Sequence, residues 1–182
     1  MGRSTKTQRL PAEFQEVQWI GRTDNQPGIA CSFGDLGPLT MTIVVEHDSG
    51  IGNSAAFVGR LVWSSFVNDY RVFFDSNQTV SSLGDNIAIV SSTQSGSVHT
   101  VVLDIHTPES TGLFKLFKVH HSINSFIGKI YSVSLERDGM IVADLVPCFR
   151  KADGEIGLFD VVSEQFFTNA ASSGTFTKGG NV

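Results

Sequence analysis

Glu46 and Asp48 sit at alternate positions and are the nearest approach in this sequence to a hydrolytic centre. On a strand, residues two apart share a face. Paired carboxylates on one face are what glycoside hydrolysis requires, one to protonate the leaving oxygen and one to attack or to activate water. Glycosidases built on jelly-roll sandwiches carry a third acid two residues on, in an E-x-D-x-E pattern. Here the chain runs into Ser49-Gly50 and no third acid follows, so the pair reads as a solvated strand end and no catalytic residue is assigned. Glu136 and Asp138 flank a turn signal and are explained by it. No G-x-S-x-G occurs, and no glycine-rich phosphate loop precedes a helical pattern.

Metal chemistry finds little support in the spacing. The five histidines are His47, His99, His106, His120 and His121. Adjacent strand residues point to opposite faces, so His120 and His121 cannot jointly hold an ion, and neither His-x-His nor Cys-x-x-Cys is present. Calcium is the one cofactor the loops could hold, through oxygen donors at Asp24, Asn25, Asp35, Asp85 and Asn86. None of these forms a recognised calcium loop, so solvated loops are the reading. Cys31 and Cys148 are read as buried free thiols acting as small apolar side chains.

Binding chemistry is better represented. An aromatic ring can stack on the apolar face of a sugar while its rim meets hydroxyls. Trp63, which closes an apolar run before Ser64-Ser65, and Tyr70 are the candidate glycan contacts; Trp19, next to Val17, is read as core. Residues 1–9 carry Arg3, Lys6 and Arg9 with no acid, and are read as a flexible arm able to attach to a neighbouring subunit. With a net charge of −5, the chain is a poor partner for nucleic acid, which requires a basic patch. No stretch approaches the apolar length of a membrane span. No apolar run follows the polar, basic start, so no secretory signal is read there. The protein is therefore expected to stay where it is made or to leave inside an assembled particle.

The elements that position these residues are strands. From residue 39 to 47, Leu39, Met41, Ile43 and Val45 alternate with Thr40, Thr42, Val44 and Glu46. Period-two alternation sends the two sets to opposite faces. Residues 97–106 repeat the pattern with Val101, Leu103 and Ile105. Further strands are predicted at 16–20, 55–63, 70–75, 87–91, 113–120, 126–135, 140–149, 156–159, 165–168 and 174–177. Asp138-Gly139 and Asp153-Gly154 fall between apolar runs, where Asp-Gly supplies the positive φ of a tight turn. An apolar fraction of 41% with 17% charged residues is enough for one real core. Many short strands with a turn every ten residues or so predict one all-β antiparallel sandwich over residues 10–182, with no helical stripe and no repeat.

The opening "LPAEFQEVQWI" (10–20), "HTVVLD" (99–104) and the closing block "GKIYSVSLERDGMIVADLVPCFRKADGEIGLFDVVSEQFFTNAASSGTFTKG" (128–179) resemble a family of concanavalin A-like, LamG-like jelly-roll domains. These domains occur in bacteriophage virion proteins and in bacterial surface proteins. Residues 21–95 depart from the family pattern: "GRTDNQPGIACS" stands where the family has a "GTQYIDTG"-like stretch. In the closing block Phe149, Ile156, Leu158, Phe159, Phe166 and Phe167 supply core, while Gly154, Gly157 and Gly174 permit turns. That block therefore specifies fold rather than chemistry. The resemblance implies a non-enzymatic virion protein, a capsid decoration or tail appendage that binds other virion proteins, reaches a cell-surface glycan, and can form a homo-oligomer. A lectin-like protein of the bacterial surface is the rival, and a glycosidase ranks last.

Overall fold

The computed structural model describes residues 9–22, 28–33, 38–47, 55–60, 70–75, 77, 79–84, 87–106, 113–117, 126–170 and 174–182. Every regular element among them is a strand. In chain order these are β1 (Phe14–Glu16), β2 (Ile20–Arg22), β3 (Ile29–Ser32), β4 (Leu39–His47), β5 (Ala55–Arg60), β6 (Tyr70–Phe74), β7 (Val80–Leu83), β8 (Ile87–Ser95), β9 (Val98–Ile105), β10 (Leu113–Leu116), β11 (Gly128–Arg137), β12 (Met140–Arg150), β13 (Ile156–Asp160), β14 (Gln165–Phe167) and β15 (Thr177–Lys178). No helix among the described residues is long and apolar enough to cross a membrane.

The strands form two antiparallel sheets packed as a sandwich. The larger has ten strands with the spine β14-β13-β12-β11-β4-β9-β8, and the smaller runs β3-β10-β5-β6-β7. Alternation decides the packing. Leu39, Met41, Ile43 and Val45 of β4 join Val101, Leu103 and Ile105 of β9 and Ile130, Val133 and Leu135 of β11 on the inner face. They meet Phe57, Val58, Val72, Phe74 and Leu116 of the smaller sheet in one buried core. The two sheets touch through rings: Phe74 of β6 lies 4.9 Å from His47 of β4 and 4.9 Å from His99 of β9.

A second, smaller cluster forms on the opposite side of the larger sheet. Leu10, Phe14, Val146, Cys148 and Phe159 pack together there, with Phe166 alongside. Leu10 is 5% exposed there.

The predicted strand at 16–20 is instead a break between two strands, because the chain changes partners there. β1 pairs with β12, and β2 pairs with β11. Over this stretch β11 and β12 diverge, and the N-terminal segment fills the fork between them. The chain end runs antiparallel along it: Thr177 and Lys178 oppose Gly21 and Ile20, the Gln18 amide donates to the Gly180 carbonyl, and the Val182 amide donates to the Glu16 carbonyl.

Other boundaries move by a few residues. The run predicted at 113–120 stops at Leu116, and Phe117 takes a positive φ of 67°. β3 and β7 were not foreseen from the pattern, since "IACS" and "VSSL" are short and mostly small or polar. Asp138-Gly139 forms the expected tight turn, with φ of 53° and 77°. Asp153-Gly154 lies in a longer loop, where the Asp153 carboxylate accepts from the Glu155 amide and from the Arg150 guanidinium. Gly157 is not a turn residue. It lies within β13, where a Cβ would stand 2.2 Å from the Phe167 carbonyl oxygen.

Candidate functional site

The outer face of the larger sheet gathers charged and aromatic side chains at one place, and a bulge is the reason. Ile130 opposes Val45 and Ser132 opposes Val44, so Tyr131 is an extra residue on β11. Bulges re-aim side chains. Here Tyr131 and Ser132 both leave the core, while Ile130 and Val133 both enter it.

Lys129 stands directly across from Glu46 in the β11–β4 register. Its ammonium donates to Glu46 Oε1 at 2.8 Å, and the Tyr131 hydroxyl donates to Glu46 Oε2. The hydrogen bonds from Lys129 and Tyr131 hold the Glu46 carboxyl below its ordinary value, with a smaller contribution from Ser97. Burial, and then the neighbouring Glu46 carboxylate, push the Tyr131 phenol up to about 12. At neutral pH the pair is thus a carboxylate with both oxygens engaged and a protonated phenol. This arrangement is suited to holding shape; it is not poised to exchange protons.

The Lys129 ammonium also lies 5.1 Å from the centre of the Trp19 ring. Trp19 was read as core, and the structure corrects this: it is half-buried on the outer face. Val17 and Ile20 both point inward, three residues apart, because the partner switch breaks the period of two. The indole edge is clasped by the chain end, where a Cβ on Gly179 would come within 2.7 Å of Trp19 Nε1.

Beside Tyr131 the same face opens into a cleft of about 100 Å³, lined by Arg9, Glu16, Gln18, Tyr131, Ser132 and Asp144 among others. The Arg9 guanidinium donates to the Asp144 carboxylate. Of the three arm residues expected to attach the protein to a particle, Arg9 is therefore engaged by its own domain. Arg3 and Lys6 lie outside the described residues.

The other expectations divide in the same way. Glu46 is described but Asp48 is not, so the acid pair is known only by its first member. Trp63 lies outside the described residues, and Tyr70 is described by its backbone alone, at the start of β6. All five calcium-donor candidates (Asp24, Asn25, Asp35, Asp85 and Asn86) also lie outside. Among the described residues no group of three or more His, Cys, Asp or Glu is arranged to hold a metal. Cys31 and Cys148 are free buried thiols in separate clusters. Burial pushes both thiols up, Cys148 to about 12.

Lys129, Tyr131 and the cleft were missed at the level of sequence. The available signal was the slip from period two to period three between Ile130 and Val133, which marks the bulge.

The chain matches no family model, no curated protein and no solved structure.

Proposed function

We propose that this chain is a non-enzymatic structural protein of a bacteriophage particle, a capsid decoration or tail appendage of the concanavalin A-like, LamG-like class. It attaches to other virion proteins and meets a host-surface glycan on the outer face of its larger sheet. The observation that carries the non-catalytic part is Glu46. The acid whose spacing hinted at hydrolysis has both oxygens engaged, by Lys129 and Tyr131, and is held ionised. A general acid needs a raised pKa and a proton to give.

Attachment is supported by the position of Arg9. Its ion pair with Asp144 holds Arg9, the last residue of the basic arm, at the cleft. Each exposed charge pair contributes roughly 0–1 kcal/mol, so attachment through the arm requires many copies on a particle. The test is incorporation. A variant lacking residues 2–9 is expected to fold but to enter particles poorly, and Glu46→Gln is expected to enter them normally. Full incorporation of the truncated protein overturns the attachment role, and turnover of a polysaccharide lost in Glu46→Gln overturns the non-enzymatic one.

The rival reading, a lectin-like protein of the bacterial surface, is favoured by one observation. Trp19 and Tyr131 stand on the outer face on either side of the Lys129–Glu46 pair, through which both are held. Glycan-array binding by the isolated domain, abolished in Tyr131→Ala, would favour that rival.

A further inference from the structure

Strand β8 forms one outer edge of the larger sheet, and among the described residues it pairs only with β9. Its first half is anchored, with Ile87 in the core and Ile89 packed against it. A bulge between Ile89 and Ser91 then releases the strand, and Val90 is 57% exposed. Every residue from 90 to 97 is exposed, although their partners Val101 and His99 on β9 are buried. The second half of β8 thus overhangs the core with both faces and one backbone edge open.

Long edges are usually guarded by lysine, proline or an inward charge, because a free row of N–H and C=O groups invites another strand. From 87 to 97 the chain reads "IAIVSSTQSGS", with no Lys, Arg, Asp, Glu or Pro. The other sheet edges are short: β14 has three residues, and β3 and β7 have four each, against nine in β8.

We propose that β8 is a self-association edge, on which a second copy of this chain adds its own β8 antiparallel across a two-fold axis. The charge pattern selects that occupant. Across such an axis the central residue faces its own copy and the residues beside it lie next to theirs, so a charge there stands close to a like charge, which is destabilising. A protein of net charge −5 that pairs with itself needs a neutral edge, and this run is neutral over its whole length. Serine and threonine facing each other across a ladder add hydrogen bonds of their own. The bulge sets the register. The regular stretch runs from Ser91 to Ser95, so its midpoint, Thr93, lies at the axis. Thr93 then faces Thr93 of the second copy, and Ser92 faces its Gln94. This inference does not rest on the virion reading.

Sedimentation of the full chain from micromolar to millimolar concentration tests it. The wild type is expected to dimerise, and the variant S92K/T93K/Q94K to weaken the dimer roughly tenfold or more through like charges set opposite one another. An equimolar mixture with S92E/T93E/Q94E is expected to restore pairing, which damage to the fold could not do. Independently, Thr93→Cys is expected to cross-link two chains on mild oxidation; the native Cys31 and Cys148 are buried and do not compete. A wild type that stays monomeric at millimolar concentration overturns the proposal. So does a dimer indifferent to the lysines, a charge mixture that fails to pair, or a Thr93→Cys protein that does not cross-link.

Discussion

Replacing Glu46 by Gln keeps the shape of the side chain and removes its charge, so it isolates what the carboxylate does. Two interactions change. The 2.8 Å contact with Lys129 loses its ionic character, and the Tyr131 hydroxyl is left with a neutral partner. The ion pair is partly open to water, with 35% of the Lys129 side chain and 20% of the Glu46 side chain exposed. Screening discounts such a pair to below about 1 kcal/mol, and the charge-assisted bond from Tyr131 adds a similar amount. The expected cost is about 1–2 kcal/mol at neutral pH, or about 3–6 °C in Tm for a domain of this size. The pH dependence follows from the lowered carboxyl. Its contribution is fully present above the unfolded value, near 4.3, and is lost as pH falls through the folded value. Wild type and variant should therefore converge in acid. Tyr131 provides a second readout, because the chain has only two tyrosines. Ultraviolet titration should show one phenol near 12 in the wild type. In Glu46→Gln that phenol should fall yet stay above its ordinary value, since burial is the larger cause. A phenol that titrates unchanged in the variant, or a Tm difference that persists in acid, would refute the assignment of these shifts to Glu46.

Two other outcomes test the core and the fork. His99 faces inward, 6% exposed, and burial lowers its pKa, so below about pH 6.5 the unfolded chain binds the extra proton. Stability should fall there with a slope of up to about 1.4 kcal/mol per pH unit, and chemical denaturation of His99→Gln across that window should show the slope reduced. At Gly128 an added Cβ would lie 2.1 Å from the Glu46 carbonyl oxygen and 2.5 Å from the Phe126 ring, so Gly128→Ala should cost roughly 3 kcal/mol or more in a denaturant melt.

Legibility in the sequence tracks how locally each feature is determined. β4 could be read to its last residue because one face is buried from Leu39 to Val45, which forces strict alternation. The Asp138-Gly139 turn was equally plain, since the pair is local and only a few residues accept its backbone. The N-terminal segment was misread because its partners lie more than a hundred residues away and change midway. Glu46 drew attention for its spacing to Asp48, yet its chemistry is set by Lys129 and Tyr131, more than eighty residues on. No pattern within β4 announces those partners. β8 was read as ending at residue 91, because the apolar signal stops where the strand leaves the core.

The fork between β11 and β12 also sets an order of events during synthesis. β2 has no partner until Gly128 to Ile130 have been made, and its second edge stays open until Thr177 and Lys178 arrive. Pairing Val17 with Asn181 closes a loop of more than 160 residues. The entropic cost of that closure grows slowly, about 0.6 kcal/mol for each doubling of length, but the delay does not. A nascent chain leaving the ribosome must carry Phe14, Val17 and Ile20, all buried in the finished molecule, unsheltered until those distant partners have been made. Slowing the ribosome late in the message would lengthen that window, so a holding chaperone should matter most at the N-terminal segment, not at the strands that form first.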